Sequence, residues 1–261
     1  MKISTLITLA CIIASPLAVA DNHSSSSPEW SVGAPLEMYN CSFTEGVNGY
    51  EQSQKFAANW NKWADENDAF GSHVAQLMWT EFSDGEYPTE FAWLGYWDSY
   101  ASAGKDMDIR STNGDEMYAE ANKFIEQCAH SDWGAWVLVQ AGDFTNGNHL
   151  TEFADCVYKE GKTDDDLLVA NTAYAKALAK RGFTGESIGM AQLWPRAGAP
   201  AGIGNAPSFK WVVGHENFAA YSKFTNELWN EGLLVEFYNL YGDIMECDSN
   251  RVYHSQVIRT P

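Results

Sequence analysis

The sequence is short of positive charge. It has 16 Lys and Arg residues against 35 Asp and Glu among 261 residues, and its formal net charge at pH 7 is −19. Binding to DNA, RNA or anionic lipid depends on Lys and Arg side chains that release counterions. The composition therefore argues against those three partners. It is typical of a highly soluble surface, and it also suits a cationic partner.

Long apolar runs are scarce. After residue 20 no stretch approaches the ~18 apolar residues of a membrane-spanning helix, so no membrane insertion is expected. Residues 1–20 combine Met1-Lys2, an apolar run from Leu6 to Ile13 and an A-x-A site at 18–20, the layout of a secretory signal peptide. Residues 21–35 are expected to form a flexible polar leader. We therefore expect a periplasmic or secreted protein.

Several catalytic and metal-binding motifs are missing. The sequence has no H-x-x-x-H, H-E-x-x-H or paired C-x-x-C, so no metal site is expected. It has no P-loop, and its G-x-S-x-G match at residues 185–189 lies between a predicted helix and a predicted strand, not at the strand-to-helix turn of a nucleophile elbow. Gly202-Ile203-Gly204 lies in the Pro/Gly/Ala-rich segment 196–207, not between a strand and a helix, so it does not indicate a dinucleotide site. No catalytic residue and no cofactor are identified.

Cysteine spacing reveals an internal repeat. Cys156 follows Cys41 by 115 positions, and Cys247 follows Cys128 by 119. Four blocks recur in the same order, pairing residues 41–46 with 156–161, 75–79 with 191–194, 91–95 with 209–214 and 126–128 with 245–247. This self-similarity predicts a leader followed by two copies of one unit, at 36–144 and 149–261.

Hydrophobic spacing predicts strand, helix, strand, strand, helix, strand in each copy. The first copy has expected strands at 36–43, 73–82, 90–97 and 133–140, and helices at 50–66 and 116–127. The second has expected helices at 163–181 and 218–245, and strands at 188–194, 209–215 and 251–258. The fold class is therefore α+β, with two tandem ferredoxin-like βαββαβ units.

Disulfides are expected in an exported protein with an even number of mature cysteines. In a ferredoxin-like unit the first and last strands are neighbours, and the two cysteines of each copy lie at their adjoining ends. Among the three connectivities this favours Cys41–Cys128 and Cys156–Cys247.

Two such units in one chain resemble the dimeric α+β barrel superfamily. Its members include antibiotic-biosynthesis-monooxygenase-like proteins, stress-responsive barrel proteins, chlorite dismutases and dye-decolourising peroxidases. The resemblance covers about Leu36 to Ile258 and rests on the order of elements and the repeat. It implies an intramolecular pseudo-dimeric barrel. No family-specific motif is matched, so no activity carries over residue by residue.

Histidines on predicted strands are the first candidates for a ligand site. His215 and His254 lie in the second unit and His73 in the first, each without a histidine at the matching position of the other unit. A duplicated protein can keep a single working site, so unrepeated polar residues are the better functional candidates. A haem barrel of the chlorite-dismutase type would need one axial histidine, and His215 and His254 match no haem motif. The alternative is that each is an ordinary, partly buried histidine.

Repeated residues form a second set of candidates. Gln76 and Gln192 lie within apolar strands, where each amide either orients a ligand or bonds a helix. Trp93 and Trp211 occupy matching blocks, and a minority of the tryptophans are expected to line a cavity while most form the core. Glu45-Gly46 and Glu160-Gly161 follow the first strand of each unit, as turns or as a pair of functional carboxylates.

Three functions remain open. The first is an exported protein that binds a small apolar or aromatic ligand in a barrel cavity lined by aromatic residues. The second is a cofactor-independent monooxygenase or isomerase that uses the same cavity. The third is a structural or interaction protein with a filled barrel. A titratable group deep in an open cavity would favour the enzyme. The ligand, the reaction and the oligomeric state are not fixed by the sequence.

Overall fold

A computed structural model describes residues 33–83, 89–142, 148–199 and 208–261. The first half of the described chain contains β1 (Ala34–Phe43), α1 (Gly49–Glu66), β2 (His73–Phe82), β3 (Phe91–Trp97), α2 (Tyr100–Asn113), α3 (Asp115–Ala121) and β4 (Ile125–Val139). The second half contains β5 (Asn148–Tyr158), α4 (Asp164–Lys180), β6 (Ile188–Ala197), β7 (Phe209–His215), α5 (Phe218–Asn230), α6 (Leu233–Tyr241), β8 (Met245–Cys247) and β9 (Arg251–Arg259). The predicted signal peptide and most of the predicted leader lie outside the described residues.

Eight of the strands close into a barrel. The order around the sheet is β7-β6-β4-β1-β3-β2-β9-β5, and β5 pairs with β7 to complete the circle. All neighbouring strands are antiparallel. The short strand β8 adds to the end of β5. The fold is thus an α+β barrel with the helices outside it.

The two halves have the same strand order. It is β4-β1-β3-β2 in the first half and β9-β5-β7-β6 in the second. The registers also correspond, because Cys41 pairs with Phe91 as Cys156 pairs with Phe209. The halves join at two seams, where β2 pairs with β9 and β4 pairs with β6. Equivalent positions can therefore be compared residue by residue.

Side chains fill the inside of the barrel. One cluster takes its members from seven strands and none from a helix, so it lies on the inner face; it consists of Leu36, Met38, Met78, Ala92, Leu94, Trp133, Ala135, Phe153, Leu193 and Tyr253. The alternate residues of the same strands pack against the helices in two further clusters, one for each half. On β2, for example, Met78 points inwards while Leu77 and Trp79 pack under α1.

The helix boundaries follow local signals in the sequence. Asn48 caps α1 by accepting from the amide of Glu51, and Asn217 caps α5 by accepting from the amide of Ala220. The carboxylate of Asp166 completes a capping box with Thr163 at the start of α4. Gly46 and Gly161 have φ angles of +79° and +73°, so the repeated Glu-Gly pairs form turns whose glutamates are exposed.

Both predicted disulfides are present. Cys41 is bonded to Cys128 and Cys156 to Cys247, each across a cross-strand pair within one half. The prediction placed Cys128 just after a helix, whereas it lies within β4. No described helix has both the length and the apolar character required to cross a membrane.

Two predicted helices were wrong, and one helix was not predicted. Residues 100–113 form α2, which was not predicted. The helix predicted at 116–127 ends at Ala121, and β4 has begun by Ile125. The helix predicted at 218–245 is two helices, broken at Gly232, which has a φ of +83°.

Candidate functional site

Two buried glutamates occupy equivalent positions in the two halves. Glu37 on β1 and Glu152 on β5 each lie four residues before the first cysteine of their half. Met38 and Phe153, their neighbours in sequence, belong to the inner barrel cluster, so both carboxylates point outwards, towards the helices. Their exposed fractions are 3% and 6%, which is rare for a carboxylate without strong partners.

A histidine and an asparagine contact Glu152. One carboxylate oxygen lies 2.5 Å from Nε2 of His215, and the other accepts from Nδ2 of Asn250 at 2.6 Å. His215 is fully buried, and its Nδ1 has no hydrogen-bond partner among the described residues. A proton on Nδ1 would lie there without an acceptor, so the tautomer that fits carries its proton on Nε2 and donates it to Glu152.

A cleft of about 850 Å³ opens beside Glu152, between the outer face of β5 and β7 and the helices α5 and α6. Most of its wall is aromatic and apolar: Tyr174, Trp211, Val213, Tyr221, Phe224, Leu228, Phe237 and Tyr241. Trp211, Phe237 and Tyr241 contact one another, with ring centroids 4.8–5.7 Å apart. The volume is that of a site for a small organic molecule, and Glu152 is the buried carboxylate among the described residues that line it.

The first half fills the corresponding space with its own side chains. Glu37 accepts from Nη1 of Arg110 at 2.9 Å and lies 3.1 Å from Nε2 of His130. Tyr39 stacks on His130 with ring centroids 3.9 Å apart. Burial raises the pKa of Glu37, but the hydrogen bond with His130 and the charge of Arg110 outweigh it and hold that pKa below its usual range.

Three exchanges account for the opening of the second half. Ala154, which pairs with Trp211, occupies the position that Tyr39 occupies beside Trp93. Counted from the caps of α2 and α5 at Ser99 and Asn217, Leu228 occupies the position of Arg110. His130 pairs with Tyr39 on β1. Asn250, the residue before β9, is next in line to pair with Ala154 on β5, so it corresponds to His130. The second half thereby loses a large ring and a buried cation.

Among the predicted histidines, His215 is the one at this site, behind Glu152. His254 pairs with Trp79 of β2, with ring centroids 5.9 Å apart, and is not among the residues that line the cleft. His73 is buried among Trp60, Phe70 and Trp97 in the first half. Nε2 of His73 is 4.0 Å from Oε1 of Glu37. Each half therefore has a buried histidine near its glutamate, on different strands.

The predicted glutamines lie apart. Gln192 exchanges hydrogen bonds of 2.9 and 3.0 Å with Asn171 under α4. Gln76 lies on the inner face beside Met78, with its Oε1 3.2 Å from Nε2 of His149. Leu77 pairs with Trp93, and Gln192 pairs with Trp211. The residue equivalent to Gln192 is therefore Leu77, so the predicted equivalence of Gln76 and Gln192 was wrong by one residue. His149, which the repeat places at the junction of the two units, is buried in β5.

The two predicted tryptophans are equivalent, but their surroundings differ. Trp211 lines the cleft, whereas Trp93 packs against Trp60 with ring centroids 4.7 Å apart. Glu37 and Glu152 were not identified as candidates, although their spacing from Cys41 and Cys156 is identical. The large cleft also lies outside the barrel, whereas the barrel interior was the predicted place for a cavity.

The cleft does not suit an axially ligated haem. The described residues that line it include no histidine, and His215 behind them directs Nε2 at Glu152. Within the described ranges, no group of three or more His, Cys, Asp or Glu side chains is arranged to hold a metal ion. We therefore derive no chemistry through iron.

Comparisons with known proteins agree at the level of the fold. No protein-family model matches the sequence, and no curated protein matches it. A proposed monooxygenase from Fusobacterium nucleatum superposes with a TM-score of 0.56 at 10% identity, over 87% of this chain and 94% of that one. A proposed monooxygenase from Lactobacillus acidophilus gives 0.53 at 11% identity, over 87% and 95%. A mutant chlorite dismutase from Candidatus Nitrospira defluvii gives 0.50 at 6%, over 87% and 93%. At sequence identities this low, the superpositions show a shared α+β barrel fold and carry no information about activity.

Proposed function

We propose that this is an exported protein that binds a small organic molecule in the cleft between β5, β7, α5 and α6. The observation that carries the proposal is the cleft itself: about 850 Å³, aromatic walls and one buried carboxylate. The equivalent space of the first half is filled by Tyr39 and Arg110, which supports a single site per chain. Export is proposed from the signal-peptide pattern and the two disulfides.

The organisation behind this proposal is a tandem duplication of a ferredoxin-like unit, at about 36–144 and 149–261. It is supported by the shared strand order, the matching disulfides and the matching glutamates. The two units would then form an intramolecular pseudo-dimer. One unit has kept an open site, while the other contributes chiefly to stability.

An enzyme is the second candidate, because Glu152 is a buried titratable group in an open cleft, the feature expected of an enzyme. Binding stands first because it requires only the cleft and this carboxylate, whereas catalysis requires a reaction that the described residues do not identify. A carboxylate held by His215 and Asn250 is a suitable general base for an acidic C–H or O–H of an aromatic substrate. The α+β barrel neighbours that are proposed monooxygenases point to the same class. Under this alternative, ligand binding is retained and turnover is added.

A packed barrel interior alone would suit the third candidate, a structural protein.

The binding proposal is tested with a neutral apolar fluorophore, N-phenyl-1-naphthylamine. We expect saturable binding to the unaltered protein. Ala154→Tyr, which introduces the residue of the first half at the equivalent position, should occupy the part of the cleft beside Trp211 and weaken binding strongly. Ala119→Tyr adds the same side chain at an exposed position of α3 and should leave binding unchanged. Equal binding by both variants would refute a site in this cleft.

A further inference from the structure

The two halves differ in how they compensate the charge of their buried glutamate. In the first half, the guanidinium of Arg110 forms an ion pair with Glu37 at 2.9 Å. In the second half, Leu228 stands at the position of that arginine, and no described Lys or Arg forms an ion pair with Glu152. The imidazole of His215 and the amide of Asn250 contact the carboxylate instead. Glu152 therefore lacks the permanent cation that Glu37 has, and it lines an open cleft.

We propose that the ligand of this cleft is an organic cation, with an ammonium, amidinium or guanidinium group on an aromatic or aliphatic body. This inference rests on the proposed binding function and specifies its ligand class. The cationic group would pair with Glu152 as Arg110 pairs with Glu37. The first half therefore displays, within the same molecule, the kind of group that this carboxylate position accepts.

The walls of the cleft suit the same ligand. Trp211, Phe237 and Tyr241 form adjoining faces of a corner, and aromatic faces attract cations through their quadrupoles. The pKa of Tyr221 is raised by burial and then by the charge of Glu152, so this hydroxyl stays protonated and adds no second negative charge.

Charged groups at the rim do not reverse this preference. Lys159 is exposed and donates to the backbone carbonyl of Gly242, while Glu246 and Asp248 bring negative charge to the same rim. Asp248 is already paired with Arg251 at 2.8 Å. The net charge of −19 also draws cations to the protein and repels anions.

The test compares two ligands of nearly the same shape, benzamidine (an amidinium cation) and benzamide (its neutral analogue), by titration calorimetry at low ionic strength. We expect benzamidine to bind at least tenfold more tightly to the unaltered protein. Glu152→Gln should remove this preference. Leu228→Arg, which restores the cation of the first half, should weaken benzamidine at least tenfold, while Leu228→Met should not.

The outcomes separate this inference from the function on which it rests. If benzamide binds as tightly as benzamidine, or if only N-phenyl-1-naphthylamine binds, the cleft is a ligand site but the cation inference is wrong. If none of the three compounds binds, the proposed function itself fails. If Leu228→Arg and Leu228→Met weaken benzamidine equally, the guanidinium is not replacing the ligand's charge. Circular dichroism of each variant confirms that it is folded.

Discussion

His73 is a residue whose burial sets a dependence on pH. It is fully buried, and neither ring nitrogen has a hydrogen-bond partner in the described part of the chain. Burial lowers its pKa from 6.5 to about 4; the charge of Glu37 opposes this, and Arg259 and Arg110 add to it. The unfolded chain therefore binds a proton between these values that the folded protein does not, so stability falls as the pH falls from 6.5 to 4.

The prediction is that His73→Leu makes this acid loss smaller. A shift of this size corresponds to about 3 kcal/mol of unfolding free energy between pH 7 and pH 4. Urea denaturation of both proteins at several pH values measures it. A loss of stability with acid that is the same in the variant would show that His73 does not contribute.

Arg110 is predicted to be essential for stability because it compensates a buried charge. Arg110→Leu copies the residue of the second half, but it leaves Glu37 with only histidines beside it. Removing one partner of a buried ion pair typically costs about 3–5 kcal/mol. Arg181→Leu is the control, since Arg181 pairs with Glu227 and Glu236 near the surface and should cost under about 1 kcal/mol. Equal losses in urea denaturation would contradict this difference.

The sequence contains a repeated spacing that indicates the two buried glutamates. The spacing E-x-x-x-C occurs at Glu37 and at Glu152 and marks the two buried carboxylates. What could not be predicted is which of them is open. The cleft beside Glu152 depends on Leu228 and Ala154. Both residues are apolar, and neither their type nor their position in the sequence indicates a cleft. The alignment of Gln76 with Gln192 was wrong by one residue, and an error of one residue in a strand places a side chain on the other face of the sheet.

The helices and strands differ in how clearly their sequences predict them. β2 and β7 were predicted with their observed bounds, because each is a short, largely apolar run bounded by turn residues. α2 was missed, since its Ser, Asp and Gly residues give little apolar periodicity and only Ala103 and Asp106 are buried. The first part of β4 is exposed, from Glu126 to His130, and shows no alternation that could distinguish it from the end of a helix.

The glycine between α5 and α6 allows a direct test of the helix break. Gly232 has a φ of +83°, and no atom lies within 4 Å of the place that a β-carbon would take, so Gly232→Ala adds strain without a clash. It should cost about 1 kcal/mol. Gly104 lies exposed inside α2 with ordinary helical geometry and equal space, so Gly104→Ala should instead add up to about 1 kcal/mol. Thermal unfolding distinguishes the two signs, and shifts of the same sign would contradict the left-handed break.

For the whole molecule, the difference between the two halves lies in side chains rather than in topology. Both halves have the same strand order and the same disulfide across their first strand. The first packs a ring and an arginine where the second leaves a cleft. The barrel can tolerate an open site in one half because the inner core, which both halves share, is packed independently of it.

The last prediction is that the two halves unfold together. The inner cluster mixes Leu36 and Met78 of the first half with Phe153 and Tyr253 of the second. Both seams, β2 with β9 and β4 with β6, are antiparallel backbone ladders between the halves, each with two register shifts. Separating the halves would expose four strand edges and an apolar face, which costs more than unfolding either half in place.

Urea unfolding followed by far-ultraviolet circular dichroism and by tryptophan fluorescence should therefore give one coincident transition. Arg110→Leu, which acts only on the first half, should move the whole transition rather than part of it. Two separate transitions, with only the first shifted by this variant, would mean that each half is stable alone. The inner core would then be an interface between two finished domains rather than the common core of one.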